Sequence, residues 1–171
     1  GGFILGICGG YQILGDEIID DQGYDGTPSK AKGLGLLNVK TKMGKEKNLG
    51  KKEFISTMNG KKISGYEIHL GITSGSDCNN PFATLSNNKD GAISSDGLVM
   101  GTYLHGLFFS DEFRNKFVAK LSSVEKKEDV SFHDTIDFIL EEFVKVIEDN
   151  LDVDSILSCL LYTSDAADEL L

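Results

Sequence analysis

The chain has 171 residues, 40% hydrophobic and 26% charged, the composition of a folded domain rather than a disordered segment. Its 17 Lys and Arg against 27 Asp and Glu leave a net charge of −10, the wrong sign for a nucleic-acid partner. No apolar run approaches the roughly 18 residues of a membrane span, no basic leader is read at the start, and Cys8, Cys78 and Cys159 are too scattered for a disulfide framework or metal cluster, so no membrane partner, no metal and a cytoplasmic setting are expected.

Phe3-Ile4-Leu5-Gly6-Ile7 is a continuous apolar run and predicts a central strand of a parallel sheet. A chain that opens Gly1-Gly2-Phe3 on such a strand is expected to be a fragment. Cys8-Gly9-Gly10 reads as a turn, and Tyr11 to Gly15 as a short helix stopped by glycine. Asp16 to Lys32, with Gly, Pro, Ser and Asp, reads as a loop. Leu34–Met43 and Lys51–Met58 read as two strands, each followed by a Lys/Gly-rich turn. Tyr66 to Leu70 alternates as a strand should, and Ser74 to Pro81 is a polar loop. Phe82–Leu85 and Gly91–Ser94 suggest a hairpin around Asn87-Asn88-Lys89-Asp90. Leu98 to Leu104 is a further strand that delivers His105 at its end.

The last third turns helical. Asp111 can cap a helix bearing Phe113, Phe117, Val118 and Leu121. A second helix places Phe132, Ile136, Ile139, Leu140, Phe143 and Ile147 at spacings of three and four, an apolar stripe expected to pack in a core, with Glu141, Glu142, Glu148 and Asp149 solvated. Residues 158–171 break this pattern and resemble a translated sequencing-adaptor read-through. They are expected to be a non-native tail, leaving residues 1–157 as the genuine part. Without Asp165, Asp168 and Glu169 the charge falls to about −7.

Gly6-Ile7-Cys8-Gly9-Gly10 is the strongest local signal. It has the spacing of a nucleophile elbow, in which a sharp strand-to-helix turn projects the reactive atom above a sheet. Glycines are expected there because the backbone comes close to its neighbours. A cysteine at a helix start gains thiolate character from the amides and the dipole, and the same amides can stabilise an oxyanion. A thiolate nucleophile needs a base. His69, His105 and His133 are the candidates; His133 reads as a surface residue, and His105 ends a strand before Gly106.

Taken together, these segments resemble a known family. Gly6 to Gly15 is similar to the nucleophile segment of the glutamine amidotransferase domain of cobyric acid synthases. Gly65-Tyr66-Glu67-Ile68-His69-Leu70-Gly71 resembles that family's second motif. Gly101-Thr102-Tyr103-Leu104-His105-Gly106-Leu107-Phe108, followed by Phe113-Arg114, resembles its third. Asp90-Gly91-Ala92, Gly97-Leu98-Val99 and Asn150 to Asp154 fit the stretches between and after, so the resemblance runs in order from Gly1 to about Leu157.

The resemblance implies an α/β fold, a flavodoxin-like class I glutamine amidotransferase domain truncated at its N-terminus. It implies Cys8 as nucleophile, His105 as general acid and base, Gly9, Gly10, Tyr11 and Gln12 as oxyanion and glutamine-binding residues, and Glu67 and His69 as possible supports. Leu107 stands where the wider class I enzymes carry a glutamate, so a Cys–His dyad is expected. Glutamine is the implied substrate, and the ammonia would amidate a corrinoid, adenosylcobyrinic acid a,c-diamide, in cobalamin biosynthesis. The corrinoid, ATP and Mg would be held by a synthetase domain expected to be absent here, since no Gly-x-x-x-x-Gly-Lys-Ser/Thr occurs. With the upstream loop that supplies a second oxyanion donor also missing, the chain alone is expected to be a weak glutaminase. The competing readings are the amidotransferase subunit of the lipid II isoglutaminyl synthase, cobyrinic acid a,c-diamide synthase, and a Cys hydrolase or binding module without ammonia transfer.

Overall fold

The computed structural model describes residues 2–121 and 131–168. Its elements are β1 (Ile4–Ile7), α1 (Gly9–Leu14), β2 (Glu17–Asp20), β3 (Ser29–Lys32), β4 (Val39–Ser56), β5 (Lys62–Gly75), β6 (Ala83–Leu85), β7 (Asn88–Asp90), β8 (Ala92–Ile93), β9 (Val99–Thr102), α2 (Asp111–Leu121), α3 (Phe132–Asn150) and α4 (Val153–Asp168). They fall into two units, Gly1–Glu128 and Asp129–Leu171.

The expected α/β architecture is present in the first unit. β1 pairs in parallel with β9, from Ile4 opposite Val99 to Ile7 opposite Thr102, and β9 pairs antiparallel with β8. Among the described residues β1 is an outer strand of a three-stranded sheet rather than its central one, and Ile4 is 41% exposed. A second sheet has the order β3-β2-β4-β6-β7, with β5 paired to β4.

Three expectations about this second sheet are corrected. Asp16 to Lys32 is not all loop: Ile18 and Ile19 supply β2, which pairs antiparallel with β3 and in parallel with β4. The Lys/Gly-rich stretch around residues 44–50 is not a turn but the middle of β4. A partner strand outweighs local turn chemistry here, since β5 pairs along β4 down to Ile55–Lys62 and a register shift between Lys42 and Lys47 absorbs the irregularity. The hairpin after Phe82 turns at Ser86-Asn87, with Ser86 at φ +53, so Asn88–Asp90 is strand β7 rather than the turn. The chain then crosses to the other sheet through Gly91, at φ +71.

Two buried clusters hold the unit together. One packs Phe54, Ile63, Phe82, Leu104, Phe113 and Phe117 around Met100 of β9. The other packs Tyr11 and Leu14 of α1 against Val39, Ala92, Val99 and Tyr103. Gly101 lets these layers meet, because a Cβ there would lie 1.9 Å from the Tyr11 ring.

In the second unit Ser131 caps α3 by accepting from the Asp134 amide, 3.2 Å away. None of the apolar residues of α3 is buried; Phe138 is 64% and Phe143 58% exposed, so the stripe expected in a core is not covered. α4 runs through the boundary expected between Leu157 and Ser158, and residues 169–171 of the expected tail lie outside the described residues. Among the described residues no helix is long and apolar enough to cross a membrane.

Candidate active site

The site begins where β1 ends. Cys8 takes φ +54 and ψ −114, a conformation L-residues rarely adopt, and α1 starts at the next residue. Its amide donates to the Thr102 carbonyl at 2.9 Å, so the elbow is tied to the end of β9. The glycines around it differ in purpose. A Cβ on Gly6 would stand 2.7 Å from the Gly10 carbonyl group, and that contact enforces glycine. A Cβ on Gly9 or Gly10 would meet nothing within 4 Å, so the expectation that all of these glycines answer to backbone crowding holds for Gly6 and fails for the other two.

The half-buried Cys8 sulfur donates to the Ile68 carbonyl at 3.6 Å and opens on a cavity of about 270 Å3. Gly9, Gln12 and His69 line the same cavity, and so do Asp25 and Lys47, which no motif singled out. Asp25 falls in a segment that reads as a loop and Lys47 in one that reads as a turn, so only the fold brings them beside Cys8. Gln12 Nε2 donates to the Leu70 carbonyl and the Tyr103 hydroxyl, both at 3.2 Å, tying α1 to β5. Tyr11 does not line this cavity. Its side chain is 1% exposed, sits edge-on to Tyr103, points its hydroxyl at the Cys78 sulfur and lines the neighbouring cavity described below. Burial pushes its hydroxyl pKa well above the usual tyrosine value.

His105 is placed by backbone. Its amide donates to the Tyr66 carbonyl at 2.8 Å and its carbonyl accepts from the Tyr66 amide at 3.1 Å, while its ring stacks on Tyr66 at 5.1 Å. Gly65 makes this approach possible, since a Cβ there would come 2.0 Å from the His105 oxygen. Beyond it Gly106 takes φ +75, and Arg114 Nη1 of α2 donates to the Phe108 carbonyl at 2.8 Å, holding the turn that follows. Among the described residues His105 Nε2 is buried with no hydrogen-bond partner, and Cys8 and His105 share no hydrogen bond. His133, near the start of α3, is exposed.

The second motif lines a neighbouring cavity of about 360 Å3, with Glu67, His69, Asp90 and Tyr103 in its wall. His69 therefore faces both cavities, whereas Glu67 faces only this one and lies 3.9 Å from Lys52 Nζ. His69 stacks on Tyr103 at 3.7 Å and its Nδ1 is buried without a partner. Burial holds its pKa below the ordinary histidine value, favouring the neutral ring. Asp90, 4% exposed, accepts from the Thr102 hydroxyl and from the Tyr103 amide at 3.0 Å, and the Thr102 hydroxyl accepts from the Leu104 amide at 3.1 Å. Where the ladder of β9 ends, this network fixes the backbone leading to His105. Burial pushes the Asp90 carboxyl up to about 6.

Residues 1–113 match the model of the CobB/CobQ-like glutamine amidotransferase domain. The chain is 43% identical over 158 residues to a cobyric acid synthase from Cereibacter sphaeroides, covering 92% of this chain and 32% of that protein. It is 44% identical to one from Bradyrhizobium diazoefficiens and 42% to one from Brucella canis, each over the same shares. The chain thus spans about a third of the length of the curated relatives it matches. An elbow cysteine facing a cavity, a histidine loop bridged to the second motif and a family match over both together identify the chain as a member of the CobB/CobQ-like glutamine amidotransferase family.

Proposed function

We propose that the chain is the glutaminase part of a cobyric acid synthase. The observation that carries this reading is Cys8, held at positive φ between β1 and α1 with its sulfur opening on a cavity. Its thiolate attacks the side-chain amide carbon of glutamine, and the carbonyl electrons move onto oxygen. The Gly9 and Gly10 amides, in the first turn of α1 where no helical carbonyl meets them, stabilise that oxyanion. His105 gives a proton to the amide nitrogen, the C–N bond breaks, and ammonia leaves a glutamyl thioester on Cys8. Water, losing its proton to His105, then releases glutamate and the thiol. The unpartnered Nε2 supports His105 in this role, and catalytic hydrogen bonds of this kind commonly tighten only with substrate bound.

The ammonia amidates peripheral carboxylates of adenosylcobyrinic acid a,c-diamide after their activation by ATP. No Walker-type loop occurs in the sequence, and among the described residues no three His, Cys, Asp or Glu side chains gather as metal ligands. ATP and Mg are therefore assigned to no residue of this chain, and no step here passes through them. The test is corrinoid amidation by the complete enzyme. Cys8→Ser is expected to abolish the glutamine-dependent reaction and to keep the ammonia-dependent one; an undiminished glutamine-dependent rate would overturn the reading.

A further inference from the structure

The cavity at Cys8 carries two opposite charges that do not neutralise each other. Asp25 and Lys47 both line it, and among the described residues neither belongs to an ion pair. Each is held there by a feature of the fold. Asp20, 5% exposed at the end of β2, accepts from the Tyr24 amide with one carboxylate oxygen and from the Asp25 amide with the other, both at 2.9 Å. A nearly buried carboxylate thus fixes the turn that brings Asp25 to the cavity. Lys47 stands opposite Leu70 where the β4–β5 register resumes after its shift, so the irregularity in β4 sets which residues face Cys8.

A cavity lined by an anionic group, a cationic group and a nucleophilic cysteine suits a zwitterionic α-amino acid whose side chain ends in the reacting group. From this placement, and resting on the amidotransferase reading, we infer that Asp25 binds the α-ammonium and Lys47 the α-carboxylate of glutamine, making these two residues the determinants that separate free glutamine from other primary amides. Hydrogen bonds to charged groups are the stronger kind, and two of them at fixed positions also set how far the amide carbon reaches toward Cys8. The 270 Å3 cavity is close to the size usual for small-molecule sites.

The test uses the complete enzyme and follows alkylation of Cys8 by two reagents. A diazo-ketone analogue of glutamine carries both α-groups; iodoacetamide carries neither. Asp25→Asn and Lys47→Met are each expected to slow labelling by the analogue about 10- to 100-fold, the value of one charge-assisted hydrogen bond, and to leave the iodoacetamide rate within about twofold. Analogues trimmed of one group assign the roles. Asp25→Asn should no longer slow a reagent without the α-amino group, and Lys47→Met one without the α-carboxylate. Equal slowing with glutamine analogue and iodoacetamide, or no slowing with either, overturns the assignment. Failure of the analogue to label Cys8 in the complete enzyme overturns the glutaminase reading beneath it.

Discussion

Tyr66 and His105 exchange backbone hydrogen bonds in both directions, at 2.8 and 3.1 Å, and this bridge joins the second and third motifs into one site. Its consequence is steric as much as electrostatic. The approach brings the His105 oxygen to 2.0 Å from where a Gly65 Cβ would be, and that atom belongs to backbone, which cannot swing away. Gly65→Ala is therefore expected to push His105 out of position. The cost in stability should be about 1–3 kcal/mol, as for other overpacked sites, with a larger relative loss of glutaminase activity. Thermal unfolding and glutamate release, measured on the same preparation, check both; an unchanged activity would show that the bridge does not place the histidine.

Two histidines compete for the proposed role of base; each stacks on a tyrosine and each has one buried ring nitrogen without a partner among the described residues, so substitution has to separate them. His69 lines the Cys8 cavity, stacks on Tyr103 and is kept neutral by burial. His105 lies within the third motif, and its Nε2 is buried with no hydrogen-bond partner among the described residues. His105→Ala is expected to lower glutamine-dependent activity about 10²–10⁴-fold, the usual contribution of general acid–base catalysis, while ammonia-dependent amidation by the complete enzyme continues. His69→Ala should act mainly on KM. The reverse pattern would move the base to His69.

Asp90 gives a pH dependence whose sign can be worked out. Its carboxyl lies near 6 in the folded chain against 3.8 ordinarily, because burial disfavours the charge more than its hydrogen bonds favour it. The folded state then binds the proton more tightly than the unfolded one. The stabilising term is complete below about pH 4 and is lost as pH rises through about 6, a change on the order of 3 kcal/mol for a shift of this size. Asp90→Asn keeps the volume and removes the titration. Denaturant midpoints between pH 4 and 7 should therefore fall with rising pH more steeply in the parent than in the variant. Parallel curves would show that Asp90 does not titrate in this range.

The parts of the site written as local pattern were legible in the sequence. Cys8 follows an apolar run at the strand-to-helix junction, and His105 comes shortly after β9, so each could be placed beside its element. What distance in the chain hides was not legible. The Lys/Gly stretch of β4 has the composition of a turn, and only pairing with β5 makes it strand; with that misread, Lys47 had no reason to stand beside Cys8. Nor does the sequence show that the Tyr11 ring packs over Gly101, where a Cβ would lie 1.9 Å from it.

Gly6 and Gly9 offer a last contrast, because they look alike in sequence and differ in space. At Gly6 an added Cβ would meet both carbonyl atoms of Gly10 at 2.7 Å and the Leu14 side chain at 2.6 Å. β1 and α1 would have to separate, and the strained turn that presents Cys8 depends on their closeness. Gly6→Ala is expected to slow iodoacetamide labelling of Cys8 and to destabilise the chain by about 1–3 kcal/mol. At Gly9, which lines the cavity, the added methyl would have no contact within 4 Å. Gly9→Ala should leave stability within about 0.5 kcal/mol, the range of substitutions away from packed features, and weaken only the fit of glutamine, as a higher KM. Equal destabilisation by the two variants would mean that conformation at the elbow, and not crowding against α1, is what selects its glycines.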